Sequence, residues 1–131
     1  MAPAAPILVV SKRLAPSDLA RLVGHPFEDM VKFVVDVDRR VAAVGGELHA
    51  DAEAMLLDQG HSQESLWGGN YHPGRGEGEC IEYRSMINIR PSQGNRAMIV
   101  QDPAVRERIR AVVFELIGRG ETVSDGGEAS P

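Results

Sequence analysis

The stretch MVKFVVDVDRRVAAV, residues 30–44, decides the fold because it predicts two paired strands of one sheet. Apolar side chains occupy alternate positions and so share one face of the first strand: Val31, Phe33, Val35 and Val37. The opposite face carries Lys32, Val34, Asp36 and Asp38. Asp38-Arg39 predicts the turn, and Val41–Val44 then forms the returning strand.

Patterns on both sides of this hairpin predict the rest of the fold. Further strands are expected at Ile7–Val10, Leu66–Tyr71, Cys80–Arg90 and Met98–Val100. Helices are expected after Ser17, across Glu47–Gln59 and after Asp102-Pro103, where a capping residue precedes proline. The order β-α-β-β-α-β-β-β-α with short connections predicts a two-layer α+β sandwich, in which helices pack on one face of a mostly antiparallel mixed sheet.

Length and composition predict a single domain. The chain has 131 residues, 43% of them hydrophobic, and a formal net charge of −5. We expect the globular domain at residues 1–118 and a disordered, acidic, glycine-rich tail at residues 119–131. The negative net charge argues against a generally basic nucleic-acid binder.

The cellular compartment follows from cysteine usage and hydropathy. The single cysteine, Cys80, excludes an intramolecular disulfide and a cysteine-rich zinc site, which suits the reducing cytoplasm. The beginning of the chain, MAPAAPILVV, lacks the charged region of a signal peptide. Since no apolar run approaches the ~20 residues that span a bilayer, we expect a cytoplasmic protein without membrane contact.

The loop INIRPSQGNR, residues 87–96, predicts a receptor for an anion such as phosphate. Arg90 and Arg96 bracket it, and Gln93 and Asn95 could orient the ligand together with backbone N–H groups. The alternative is that Arg90 is structural and holds carbonyl groups of the loop itself.

A second group of residues suggests acid–base chemistry. His49 and Glu53 are four residues apart on the middle helix and share a face. His49 would be the acid or base, with Glu53 or Asp36 fixing its tautomer. A divalent metal bound by His49 and carboxylates is the variant mechanism, and a purely structural His–Glu pair is the alternative.

Other polar residues are expected to line the same cleft. Lys32 is on the polar face of its strand, Asn88 precedes the loop, and Asn70 follows Trp67-Gly68-Gly69, where the bare backbone suggests a bulge or a close approach. Trp67 could stack on a base or sugar, although a core position is the alternative for a single tryptophan.

The motifs LHADAE, LWGxN and INIRPSQGNR resemble those of a small uncharacterised family of bacterial and archaeal proteins with a domain of unknown function. The resemblance extends from about Met30 to about Leu116. It implies that the motif positions form a unit, and it implies no activity. Those positions are Leu48, His49, Asp51, Glu53, Trp67, Gly68, Asn70, Asn88, Arg90, Pro91, Gly94, Asn95 and Arg96.

Three functions remain open from the sequence. The first is a small enzyme, for instance a hydrolase, that acts on a phosphate-containing or other anionic small molecule. The second is a non-catalytic module that binds a nucleotide or nucleic acid. The third is a structural or interaction protein, for instance a homodimer.

Overall fold

The computed structural model of the chain describes residues 5–24 and 26–123. Five strands and three helices follow one another in it. The strands are β1 (Ile7–Val10), β2 (Val31–Asp36), β3 (Val41–Gly45), β4 (Leu66–Tyr71) and β5 (Ile81–Glu82). The helices are α1 (Pro16–Leu22), α2 (His49–Asp58) and α3 (Pro103–Leu116).

The five strands form one antiparallel sheet in the order β1-β3-β2-β4-β5. The predicted α+β class and the hairpin of β2 and β3 are confirmed. The predicted long strand Cys80–Arg90 is shorter, because β5 ends at Glu82. Beyond it the chain forms 3-10 turns at Met86–Asn88 and Pro91–Gln93. In place of the predicted strand Met98–Val100 there is one isolated bridge, between Ile99 and Arg84.

Helices cover both faces of the sheet. α1 and α3 pack on the face that carries Phe33 and Val35, and this side holds the larger core. α2 packs on the other face, where Ala52 and Leu56 cluster with Val34. The expectation of helices on one face is corrected here. Val34, on the face of β2 that carries Lys32 and Asp36, is fully buried and needs a cover of its own.

The two longer helices begin differently. Asp102 caps α3, since its Oδ1 accepts a hydrogen bond from the Ala104 N–H at 2.9 Å. α2 begins at His49 after Leu48, which supplies no capping side chain. The first N–H groups of α2 therefore lack the usual side-chain acceptor.

The last described residues lie against the domain. The Gly120 N–H donates to the Tyr71 hydroxyl at 2.8 Å, and the Gly74 N–H donates to the Gly120 carbonyl at 3.0 Å. Residues 119–123, predicted as the start of a disordered tail, are therefore packed. The rest of that predicted tail, 124–131, and the first four residues lie outside the described residues. No described helix combines the length and the hydropathy that crossing a membrane requires.

Candidate functional site

The loop at residues 87–96 closes the open edge of β4. β5 pairs with β4 only at Asn70 and Tyr71, which leaves the earlier part of that edge without a strand partner among the described residues. Asn88 takes the place of a strand there. Its Oδ1 accepts from the Gly68 N–H at 2.9 Å, and its Nδ2 donates to the Gly68 carbonyl at 3.0 Å. An open edge would otherwise invite pairing with another chain.

Arg90 continues this closure of the edge. Its guanidinium donates to four oxygens: the carbonyls of Leu66, Gln63 and Ile87, and Oε1 of Gln93. It also stacks on the Trp67 ring, 4.3 Å from the centroid. One of the five N–H groups of Arg90 is left for a ligand. These contacts favour the structural alternative for Arg90 over anion binding.

The amide side chains of the loop are also used internally. The Asn95 Nδ2 donates to the carbonyls of Asn88, Ala97 and Ile99 at 2.8 to 3.1 Å, and its Oδ1 accepts from the Gln101 N–H at 2.9 Å. The Gln93 Nε2 donates to the Glu64 carbonyl at 3.1 Å. Asn95 therefore has no donor left over with which to orient an anion, and Gln93 keeps one N–H of its Nε2.

The cleft beside this loop has the wrong charge for an anion. It encloses about 330 Å³, and Gln93 and Asn95 lie in its wall. Its charged residues are Asp38, Glu64, Asp102 and Arg108, an excess of acidic groups. Arg96 does not line it. The Arg96 side chain is exposed and makes no hydrogen bond or ion pair within residues 5–24 and 26–123.

Trp67 belongs to the core. It is 5% exposed and clusters with Phe33 and Val100 on the α1/α3 face of the sheet. With Arg90 stacked on it, Trp67 has no open ring face of the kind that base stacking requires. The core alternative is therefore favoured for this residue.

His49 lies in a different place, at the first turn of α2 over β4. It is 8% exposed, and its Nε2 donates to the Gly69 carbonyl at 2.7 Å. The approach is close: a Cβ on Gly68 would lie 3.2 Å from the His49 Cδ2 and 2.9 Å from the Ser85 Oγ. The Gly68-Gly69 pair therefore marks a close approach, one of the two explanations that the sequence left open.

Burial lowers the pKa of His49 to about 4. The nearby Lys32 lowers it further, whereas the Gly69 carbonyl and the Asn70 side chain favour the protonated form. His49 is thus neutral at pH 7, with its proton on Nε2. Nδ1 is the nitrogen left for a ligand, since it has no hydrogen-bond partner in the described part of the chain.

The two carboxylates assigned to His49 do not contact it. The Glu53 Oε2 accepts from Gln63 at 3.3 Å. Asp36 lies four residues along β2 from Lys32, about 13 Å away at the rise of a strand. It accepts from the backbone of Asp38 and Arg39, and its Oδ2 is 2.6 Å from the Nδ1 of His61.

Asp36 therefore orients His61. The carboxylate is 1% exposed, and its three contacts tie the β2–β3 turn to the segment that follows α2. We assign Asp36 and His61 to this structural junction. Nothing in the spacing of the two residues, 25 apart in the chain, could have paired them.

The side chains that do converge lie around the N-terminus of α2. A cleft of about 470 Å³ opens there, with Lys32, His49, Asn70, Arg84 and Ser85 as its polar lining. Its apolar lining consists of Leu48, Ala50, Met86, Ile87 and Met98. Of the residues that the sequence assigned to one cleft, three meet here: Lys32, His49 and Asn70.

A row of polar residues crosses three strands, and two of them, Lys32 and Asn70, line this cleft. Lys32, Asn70 and Glu82 are partners in adjacent strands. Glu82 accepts from the His72 Nε2 and from the Asn70 Nδ2, each at 3.0 Å, and these bonds lower its pKa. Burial lowers the pKa of Lys32, an effect that the Glu82 carboxylate partly opposes. The Asn70 Oδ1 is buried and has no partner among the described residues.

Sequence reasoning missed Arg84 and Ser85 as members of this cleft. Both fall in the segment Cys80–Arg90, which the sequence predicted to be one long strand. In the structure Arg84 has no ion pair within the described ranges, and Ser85 is buried against Gly68. The glycine pair was the available signal, since it indicates that another part of the chain approaches β4 closely.

The metal variant gains no support from side-chain placement. Within residues 5–24 and 26–123, no three His, Cys, Asp or Glu side chains lie close enough together to hold a metal ion. His49 has no carboxylate in contact with it, as described above.

Comparison with known proteins gives a family match. Residues 8–116 match the model of a family described as "Protein of unknown function (DUF5674)". No curated protein and no solved structure matches the chain. The matched span includes the cleft at α2 and the loop that closes β4. The chain therefore belongs to this family of proteins of unknown function.

Proposed function

We propose that the protein binds a small anionic molecule in the cleft at the N-terminus of α2 and exchanges a proton with it through His49. One observation carries the proposal. Lys32, Arg84 and the uncapped start of α2 border the same cleft as a buried, neutral histidine.

The electrostatics of the cleft favour an anion. The first N–H groups of a helix and its dipole form a ready binding site for phosphate or carboxylate. No acceptor for the N–H groups of His49 and Ala50 occurs among the described residues. Lys32 and Arg84 add two positive charges, and neither takes part in an ion pair in that part of the chain. An anion would also offset the burial that lowers the pKa of Lys32.

His49 supplies the group for proton exchange. The Gly69 carbonyl fixes its tautomer, so Nδ1 is the position that could accept a proton from a ligand. A pKa of about 4 makes free His49 a weak base at neutral pH. A bound anion would raise this pKa, because a nearby negative charge favours the imidazolium. Binding would therefore activate the base.

The same low pKa favours a second candidate, a non-catalytic receptor for the anion. In that case His49 stays neutral when the anion binds and serves only as a hydrogen-bonding wall of the cleft. The pKa of His49 in the complex separates the two functions. A value that rises toward 6.5 supports proton exchange, and a value that stays near 4 supports the receptor.

Calorimetric titration with inorganic phosphate and with acetate tests the site. We expect Lys32→Ala and Arg84→Ala each to weaken binding roughly tenfold or more, the effect of losing a hydrogen bond from a charged donor. Arg96→Ala is the matched control, since it removes an exposed arginine outside the cleft. The opposite pattern, in which Arg96→Ala weakens binding and Lys32→Ala does not, would assign the anion site to the loop at residues 87–96 instead.

The role of His49 needs a variant that keeps the fold. His49→Gln retains an N–H donor for the Gly69 carbonyl and loses the titrating ring. We expect it to bind phosphate but to lose turnover of any substrate that the wild-type protein converts. If His49→Gln converts such a substrate at the wild-type rate, His49 does not exchange the proton.

A further inference from the structure

The cleft at α2 has an apolar wall that inorganic anions do not use. Four large hydrophobic side chains are exposed among the described residues: Leu48, Leu57, Met86 and Ile89. Two of them line this one cleft, Leu48 at 59% and Met86 at 75% exposure. Ile87 and Met98 extend the wall. Apolar side chains gathered at a cleft, rather than scattered singly, mark a binding surface.

The exposed position of Leu48 leaves α2 without a capping hydrogen bond. Leu48 occupies the N-cap position of α2, where Ser, Thr, Asp or Asn would satisfy an N–H group of the helix. Met86 lies in the 3-10 turn that Ser85 and Asn88 anchor through their hydrogen bonds to backbone groups. Both side chains remain outside the core.

The charges lie beside this wall. Lys32 and Arg84 line the same cleft as Leu48 and Met86. A ligand that uses both parts needs an anionic group joined to an apolar one. Methionine is flexible and polarisable, and it packs well against chains of differing shape.

We propose that the ligand is an amphiphilic organic anion, a carboxylate or phosphate monoester whose apolar chain packs on Leu48, Met86, Ile87 and Met98. This inference rests on the proposed function and adds the class of ligand to it. The anionic group binds at Lys32, Arg84 and the start of α2, and the chain extends along the wall.

Two homologous series test this inference by calorimetry: straight-chain carboxylates from acetate to octanoate, and alkyl phosphates from methyl to octyl. We expect affinity to rise roughly fourfold per added methylene, the gain for burying one such group in an apolar site. The series with the higher affinity at equal chain length identifies the anionic group. A flat response in both series overturns the inference, although phosphate binding that depends on Lys32 would leave the proposed function standing.

A substitution in the apolar wall tests the inference further, and a leucine outside the cleft supplies the matched control. Met86→Gln should flatten the dependence on chain length and leave the affinity for acetate and phosphate unchanged. Leu57→Gln removes an exposed leucine of α2 outside the cleft and should alter neither. If Leu57→Gln flattens the series equally, the wall is not the binding surface.

A second copy of the chain is the competing occupant of this wall. Sedimentation velocity on the wild type and on Met86→Gln decides between a second copy and a small amphiphilic anion. We expect the two to sediment alike. A wild-type dimer that Met86→Gln converts to monomer would overturn the inference and assign the wall to an interface. Absence of any anion binding would remove the proposed function together with this inference.

Discussion

Asn88 is the residue whose loss should damage the fold most clearly, because it replaces a missing strand. Its carboxamide makes three hydrogen bonds to the backbone: to the Gly68 N–H at 2.9 Å, to the Gly68 carbonyl at 3.0 Å and to the Met98 carbonyl at 3.1 Å. Asn88→Ala would leave the Gly68 N–H and the Gly68 carbonyl without a partner, whereas the Met98 carbonyl would keep the hydrogen bond from the Ser85 N–H. A buried unsatisfied group costs about 1 to 3 kcal/mol, so we expect the free energy of unfolding to fall by about 3 to 5 kcal/mol.

Urea denaturation measures this loss. With a slope of about 1 to 3 kcal/mol per molar urea, the midpoint should fall by at least about 1 M at an unchanged slope. Asn88→Asp keeps the acceptor and loses both donors, so it should also destabilise the protein. Gln59→Ala removes an exposed amide at the end of α2 and should have no measurable effect. An Asn88→Ala midpoint within error of the wild type would refute the assignment of Asn88 as a strand substitute.

Three further predictions follow from buried groups. The pKa of His49, about 4 when folded and 6.5 when unfolded, means that the unfolded chain binds the extra proton between these values. Stability should therefore fall by up to roughly 3 kcal/mol as the pH drops from 6.5 to 4, and His49→Gln should lack this component in denaturation at each pH. Gly69→Ala should lower the melting temperature by many degrees, because its Cβ would lie 2.5 Å from the Phe33 ring, whereas Gly78→Ala meets nothing within 4 Å and should melt as the wild type does. Asp36→Asn should destabilise the protein through its contact with His61 yet bind phosphate with wild-type affinity in calorimetry; weaker binding would contradict its assignment to the structural junction.

Much of the fold could be predicted from local patterns. β1 and β4 have the predicted bounds, and the cap and proline at Asp102-Pro103 begin α3 as predicted. The burial of both faces of β2 was harder to foresee. Val34 between Lys32 and Asp36 was the visible sign of it, and only the cover by α2 explains why that face is buried.

The segment after Glu82 shows where periodicity misleads. Its alternating residues predicted a strand to Arg90, yet the chain turns after β5. Side-chain hydrogen bonds from Asn88 and Arg90 then do what a strand ladder would do for β4. Side-chain partners 20 or more residues away in the chain are invisible to a local pattern.

The candidate site could likewise be predicted only in part. Lys32, His49 and Asn70 were each identified, since polar groups beside apolar stripes suggest a cleft. Arg90 was assigned to an anion because a strand-end arginine before a polar loop suits one, but the carbonyls of β4 take its donors first. Which acceptors reach an arginine depends on the tertiary fold.

The central claim is that the anion binds at the start of α2 and not at the loop. Two-dimensional 1H–15N NMR during a phosphate titration tests it most directly, because it reports on each backbone N–H group. We predict that the His49 and Ala50 resonances shift along one saturable curve and that the resonances of residues 90–96 stay in place. Saturable shifts confined to residues 90–96, or none anywhere, would contradict the account.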